Sequence, residues 1–312
     1  MVKYILKRLL FIFVTLWIIV TCTFFMMKQL PGTPFDAERF SIMTPAQQES
    51  MLEMYGLNDP VPVQYVKYIG NILHGDLGTS FSYVNQDVGS VIAGRLKPSA
   101  LIGLQAVLIG LAIGLVLGIL AAWKHNSGID YLTMILAVLG VSVPNFVAAA
   151  LLQYYIGLKW GILPIGFWTS WNCSVLPSIA LSFSATAMVA RFMRTEMLDV
   201  LDQDYIVTAR AKGISQMQVL MRHAVKNSIL PVVTILGPIV VNLMTGSLAV
   251  ENIYSIPGIG SLFVDCIKAN DYPVIMGITI FYAAFYMLVV LLVDLVYSMI
   301  DPRIRLTKGK ED

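Results

Sequence analysis

The chain has 312 residues, of which 57% are hydrophobic and 13% charged, with a formal net charge of +2. Soluble domains carry roughly 25% charged residues, so this composition excludes a water-soluble globule: too little polar material is left to cover a core of this size. The three cysteines, Cys22, Cys173 and Cys266, lie too far apart for a metal-binding pair, which leaves three unpaired thiols or a Cys173–Cys266 disulfide.

A helix that crosses a bilayer needs about 20 mostly apolar residues. The basic residues Lys3, Lys7 and Arg8 precede an uncharged run, Leu9–Met27, of 19 residues. That run exceeds the roughly 7–15 residues of a signal-peptide core, and no small-x-small cleavage site follows it, so a retained first membrane helix is predicted over Leu9–Leu30. The next segment, Pro31–Pro98, is too polar to span. Its apolar and aromatic residues (Tyr55, Leu57, Tyr65, Tyr68, Leu73, Phe81 and Tyr83) predict an ordered extracellular insert rather than a linker. Inside it, Thr44–Met54 reads as a short helix: Thr44 caps it, Pro45 suits its first position and Gln47 completes a capping box.

Five further spans follow: within Ser99–Trp123, within Tyr131–Leu158, about Leu176–Phe192, within Asn227–Val250 and about Val274–Ile300. The last holds one carboxylate, Asp294, which reads as reaching the interface. Together they predict an all-α polytopic membrane protein with six transmembrane helices. Gly110, Gly114 and Gly118 recur every four residues and mark a face for close contact with another helix. Pro144 and Pro238 are expected to kink their helices. The loop Lys159–Val175 carries Trp160, Trp168 and Trp171, as an interfacial aromatic belt or the lining of an outer mouth. Pro257-Gly258-Ile259-Gly260 reads as a surface or re-entrant turn at that mouth.

Six spans put both termini on one side, and Lys and Arg orient them. With the termini cytoplasmic, the inside holds 14 basic residues and the outside the other 7. The bias places both ends in the cytoplasm.

The most polar inside segment is Arg191–Pro231. Asp204 reads as the cap of a helix starting at Tyr205, with Arg210 and Lys212 in its last turn, where cations suit the helix dipole, and Gly213 ending it. Ser215 and Gln218 form a second capping box. Met217, Leu220, Met221, Ala224 and Val225 then share one apolar face. Such a helix suits a resting place on lipid headgroups. The small residues Ala209, Ala211 and Gly213 suit instead the close approach of another protein.

The run Asp204-Tyr-Ile-Val-Thr-Ala-Arg-Ala-Lys-Gly213 resembles the coupling-loop signature of ABC importer permeases in its peptide-importer variant. The general Glu-Ala-Ala-x-x-x-Gly pattern falls on Val207, Thr208, Ala209 and Gly213, and only the second Ala and the Gly match. Leu230-Pro231 comes eighteen residues after Gly213, with Arg222-His223-Ala224 between, where the general family has about thirteen. Both departures resemble the dipeptide and oligopeptide branch. So do Leu30-Pro31-Gly32-Thr33-Pro34, Tyr55-Gly56-Leu57-Asn58-Asp59-Pro60, His74-Gly75-Asp76-Leu77-Gly78-Thr79-Ser80, Tyr254-Ser255-Ile256-Pro257-Gly258-Ile259-Gly260, Asn270-Asp271-Tyr272-Pro273 and Asp301-Pro302-Arg303. Phe35 and Glu38-Arg39 resemble the oligopeptide subtype, in particular the first of its two permease subunits.

The resemblance implies the type I ABC importer transmembrane fold and a permease subunit of an ATP-driven peptide importer, with oligopeptides the expected substrate, that forms half of the pathway and works by alternating access. It divides the chain into 1–94 (first helix and insert), 95–303 (permease domain, coupling loop about 191–231) and a cytoplasmic tail 304–312. Expected partners are a second homologous permease subunit, two cytoplasmic ATPase subunits, an extracytoplasmic peptide-binding protein, the peptide substrate and the lipid bilayer, with no nucleic acid. No Gly-x-x-x-x-Gly-Lys-Ser/Thr loop occurs. The chain is therefore expected to be no enzyme and to hold no cofactor or metal, ATP and Mg residing on the ATPase subunits. Expected coupling residues are Asp204, Tyr205, Thr208, Ala209, Arg210, Ala211, Lys212 and Gly213. Tyr205 and the small face Thr208, Ala209 and Ala211 would enter a cleft on the ATPase, and Arg210 and Lys212 would meet acids at its rim. Pathway candidates are Asn145, Gln153, Asn242, Thr245 and Ser247, each also suited to a helix–helix hydrogen bond. Candidates for the outer mouth or the binding-protein contact are Asp76, Gly78, Trp168, Pro257, Gly258 and Gly260.

Alternatives remain. A secondary transporter or channel would bury ionisable residues, and Asp294 is the one clear candidate. An intramembrane enzyme would need a catalytic motif, but the chain has no His-Glu-x-x-His or Gly-x-Ser-x-Gly, and His74, His125 and His223 lie outside helix cores. Permeases of this type also serve nickel, haem and glutathione.

Overall fold

The computed structural model describes residues 2–29, 40, 42–83 and 86–300. In chain order its helices are α1 (Val2–Lys28), α2 (Pro45–Met54), α3 (Val61–Leu73), α4 (Val88–Trp123), α5 (Gly128–Ser142) and α6 (Asn145–Leu152), which continues as a π-helical stretch, Gln153–Lys159. A 3₁₀ turn, Trp171–Ser174, opens α7 (Val175–Leu201); α8 (Asp204–Ala211) follows. Then α9 (Gln216–Gln218) runs through a π-helical stretch, Val219–Val225, into α10 (Lys226–Met244), followed by α11 (Leu248–Ile253), α12 (Ile259–Lys268) and α13 (Tyr272–Ile300). Among the described residues there is no strand, only one antiparallel bridge between Thr79 and Asp87. The resemblances at Pro31–Pro34, Phe35, Glu38-Arg39 and Asp301-Pro302-Arg303 lie outside the described residues, as does the side chain of Asp294.

Among the described residues, five helical segments are long and apolar enough to cross a membrane: Leu6–Lys28, Val88–Trp123, Trp171–Leu201, Gln216–Ile253 and Tyr272–Val293. The third expected span is different. There α5 and α6 with its π-helical extension meet at a bend of 99°, far more than a kink. Val143 is extended (φ −79°, ψ 118°) and Pro144 caps α6, because a proline disfavours helical backbone in the residue before it. At Pro231 and Pro238 the helix is not broken: α10 runs through both. The fourth span is longer than expected, since α7 runs on past Arg191 to Leu201.

The chain divides into two compact units, Met1–Lys97 with Pro257–Phe285, and Pro98–Ile256 with Tyr286–Asp312. In the first, Val88, Val91 and Ile92 of α4 form a core with Ile259, Leu262 and Cys266 of α12 and Val274, Ile275 and Ile278 of α13. Asp271, wholly buried, joins the insert to this core. Its carboxylate accepts from the Ser80 hydroxyl, from Phe81 N–H at 3.2 Å and from Ser82 N–H at 3.0 Å, while also capping α13 through Val274 N–H at 3.5 Å. On the other side of the insert the capping box expected at Thr44 and Gln47 is complete.

In the second unit α7 is the central helix. The glycines of α4 make it possible: a Cβ on Gly110 would lie 2.7 Å from Ala185 Cβ, one on Gly114 2.7 Å from Val189 Cβ, and one on Gly118 2.6 Å from Ala190 O. Gly103 meets α10 in the same way, 2.4 Å from Leu243 O. Buried polar groups are satisfied in pairs. The Ser99 hydroxyl donates to Glu251 Oε1 at 2.7 Å and the Tyr254 hydroxyl to Ala149 O at 2.9 Å. At the start of α5, buried Asp130 accepts from Arg194 Nε at 2.6 Å and Nη2 at 2.8 Å, and from Asn126 N–H at 3.0 Å, with His125 Nδ1 3.1 Å away. All three cysteines are free: Cys22 is exposed, Cys173 and Cys266 buried.

Candidate coupling site and transport groove

The segment between α7 and α10 is a braced platform. Of the expected loop Arg191–Pro231, residues 191–201 belong to α7; a two-residue turn, Asp202-Gln203, separates α7 from α8. The N-cap is Gln203 and not Asp204, which occupies the first turn of α8, where its charge suits the dipole. At the other end Gly213 has φ +77°. Its N–H donates to Arg210 O at 3.0 Å, and Ile214 N–H donates to Ala209 O at 3.3 Å. These are the two bonds of a Schellman motif, which needs a left-handed residue at the glycine position. The Ser215 hydroxyl then accepts from Gln218 N–H at 3.4 Å and starts the next helix.

One face of α8 fastens the platform. Ile206 and Ala209, three residues apart, are buried with Val219 in a small cluster joined by Val200, Leu201 and Ile214. Ala209 therefore packs inward, which removes it from the outward face on which it was expected. Further braces link the flanking helices. The Tyr205 hydroxyl accepts from Asn227 Nδ2 at 3.2 Å, and the Ser228 hydroxyl lies 3.3 Å from Glu196 O. The exposed face of α8 presents Asp204, Tyr205, Val207, Thr208, Arg210 and Ala211, followed by exposed Lys212 and Gly213. Of the apolar face expected after Ser215, Leu220 and Ala224 are buried, whereas Met217 and Met221 are exposed beside it.

The candidate pathway residues separate. Asn242 is exposed and lines a groove of about 280 Å³ with Ser184, Ala185, Met188, Pro238, Ile239 and Leu243. The groove holds no charged side chain. Thr245 donates to Val241 O at 2.9 Å within its own helix, and Ser247 is the N-cap of α11. Gln153 is structural: its amide donates to Ile165 O at 2.5 Å and to Ile253 O at 2.8 Å, tying a loop and the end of α11 to the π-helical stretch. Asn145 is half-buried in the first turn of α6.

The outer candidates divide too. Asp76 is exposed, and its carboxylate accepts from Gly78 N–H at 2.8 Å in a tight turn where Gly78 has φ +84°. Trp168 packs, half-buried, against the main apolar cluster of its unit, while Trp160 and Trp171 are exposed. Pro257 is half-buried. Gly258 and Gly260 are buried at the start of α12, where Gly258 O accepts from Ser261 Oγ at 3.0 Å and Leu262 N–H at 3.2 Å. They shape a helix start and present no surface to a partner. Among the described residues three carboxylates are buried, Asp130, Glu251 and Asp271; the first two escaped the sequence reading, and Asp271 entered it only as part of the Asn270–Pro273 resemblance. Only Glu251, after Leu248-Ala249-Val250, stands out in the sequence as an acid in an apolar run.

These features define a polytopic helical membrane protein with a packed polar platform between two of its membrane helices. Residues 114–306 match the family described as binding-protein-dependent transport system inner membrane component, and residues 1–93 match the N-terminal component of the same systems. The chain belongs to this family of ABC importer permeases. It is 46% identical over 98% of its length to all of the dipeptide transport system permease protein DppB of Lactococcus lactis subsp. cremoris. To DppB of Bacillus subtilis it is 42% identical, with 99% of both chains covered. To the oligopeptide transport system permease protein OppB of Salmonella typhimurium it is 40% identical over 98% of this chain and all of that one. A crystal structure of an amino acid ABC transporter with histidines covers 69% of this chain and 94% of its own, with a TM-score of 0.51 at 19% identity. The fold is thus the type I ABC importer transmembrane fold, and the permease is a transport subunit rather than an enzyme.

Proposed function

We propose that this chain forms half of the translocation pathway of an ATP-driven peptide importer and receives the motor stroke through α8. Its partners in this reading are a second, homologous permease subunit, two cytoplasmic ATPase subunits that carry ATP and Mg, and an extracytoplasmic binding protein that delivers the peptide. Both termini are cytoplasmic. The relatives named for dipeptide transport are more similar than those named for oligopeptide transport, so the substrate class is peptide, short chains included.

One observation carries the coupling role. The helix Asp204–Ala211 is fastened by Ile206 and Ala209 on its inner face and ended by the Schellman turn at Gly213, while Tyr205, Thr208, Arg210, Ala211 and Lys212 face outward. A load on that outer face passes into α7 through Val200 and Leu201, and into α10 through Tyr205–Asn227. Such a platform transmits movement because it does not yield locally. The charge-free groove at Ser184, Met188, Pro238 and Asn242 suits peptides of many sequences, since none of its groups selects a charged side chain.

Gly213→Leu tests the reading. Nothing lies within 4 Å of the position of a Cβ there, so the substitution acts through the backbone alone, at a cost of about 1–2 kcal/mol for a left-handed non-glycine residue. Transport is expected to be lost while the chain still inserts, and Gly213→Asn, which tolerates this backbone, is expected to retain it. Normal peptide uptake by Gly213→Leu would contradict the assignment.

A further inference from the structure

The insert holds a helix whose apolar face is turned outward. α3 is 13 residues long and none of them is fully buried. Its inner face carries Gln64, Tyr65 and Tyr68 against α1, whereas Val63, Val66 and Leu73, at positions i, i+3 and i+10 of one stripe, point away. Val63 is 42% exposed, Val66 68% and Leu73 71%. An aqueous surface helix would place polar side chains on this stripe.

The depth of α3 explains the inversion. Lys28 ends the apolar segment of α1. At 1.5 Å per residue, Thr21 lies about 10 Å and Trp17 about 16 Å below it along α1. The Tyr65 hydroxyl reaches this level: Trp17 Nε1 donates to it at 2.9 Å, and it lies 2.7 Å from Thr21 Oγ1, whose own proton goes to Trp17 O. Tyr65 and Tyr68 also meet the Phe24 ring at centroid distances of 5.4 and 5.9 Å. The polar atoms of Trp17, Thr21 and Tyr65 bond to one another, as polar groups at membrane depth do, while the Tyr68 hydroxyl beside them is buried without a hydrogen-bond partner among the described residues. The polar groups of α3 lie at its other edge, where Lys28 donates to Gln64 and Lys67 pairs with Asp59 at 2.6 Å. Trp17, Ile18, Phe25 and Met26 of α1 are exposed and apolar as well.

We propose that α3 is embedded in the lipid leaflet on the Lys28 side, with Val63, Val66 and Leu73 among acyl chains and Lys67 and Asp59 at the headgroups. The insert is then a membrane-anchored platform rather than a freely hydrated loop, as an amphipathic helix with one apolar and one polar edge favours. This inference rests on α1 crossing the bilayer and not on the transported substrate.

Nitroxide accessibility tests it. Cys22→Ser removes the one exposed native thiol. Val66→Cys, Leu73→Cys and Lys67→Cys are then spin-labelled in turn, in protein reconstituted into liposomes with the subunits that copurify with it. Val63→Cys replaces either apolar site if a variant fails to insert. The account predicts an oxygen-to-nickel-chelate collision ratio several-fold higher at 66 and 73 than at 67. Equal nickel access at all three positions would overturn it in favour of a hydrated helix. Protection of 66 and 73 from both reagents would overturn it in favour of a protein partner covering the stripe.

Discussion

Arg194 holds the buried carboxylate of Asp130 through two parallel bonds, Nε to Oδ1 at 2.6 Å and Nη2 to Oδ2 at 2.8 Å. The pair joins the first turn of α5 to the late part of α7, two turns before α7 ends at Leu201. Arg194→Ala leaves a buried charge without its partner, a loss of about 3–5 kcal/mol. The purified protein should melt at a clearly lower temperature in a thermal scan. Asp130→Asn, which keeps a hydrogen-bond acceptor and removes the charge, should do less damage than Asp130→Ala.

The α4 glycines give a second expectation. Gly114 faces Val189 and Thr186 so closely that a Cβ there would lie 2.7 and 2.8 Å from them. Gly114→Ala must spread two helices and should cost about 1–3 kcal/mol. Gly94 is in the same helix with nothing within 4 Å of a Cβ, so Gly94→Ala should be neutral or stabilising by about 0.5–1 kcal/mol. Comparison of the two melting temperatures checks both.

Cys266 is buried between α12 and α13, and burial, followed by the neighbouring Asp271 and Asp265, pushes its thiol up to about 12. A raised thiol value keeps the nucleophilic thiolate scarce until the pH approaches that figure. At about pH 8 the folded protein should therefore leave Cys266 unmodified by a maleimide, and denaturation should expose it. Modification of the folded protein at the rate of the denatured one would show that this core is open.

Much of this architecture was legible. Apolar runs marked the spans because a bilayer sets their length, and the four-residue glycine spacing marked the face of α4 that meets α7. The end of α8 was legible from Gly213, whose left-handed backbone needs glycine. Other features were not, for physical reasons. The inward position of Ala209 depends on Val219 and Ile214, and a small residue by itself does not say which side it faces. The bend at Pro144 was expected as a kink, since local sequence does not report how far the freed Val143 backbone turns. Asp130–Arg194 and Ser80–Asp271 join residues 64 and 191 positions apart, and neither pairing leaves a local pattern. The expected capping by Asp204 failed by one residue, with Gln203 taking the cap.

The central claim is that the outer face of α8 meets the motor while its inner face belongs to the permease. Photo-crosslinking residues placed in turn at Thr208 and Ala209, in the assembled transporter, test it most directly. Thr208 is exposed and Ala209 is buried against Val219. The account predicts a crosslink to an ATPase subunit from position 208 and only intrachain products from position 209. A transporter that imports peptide normally but gives no ATPase crosslink from 208, or gives one from 209 in its place, would contradict it.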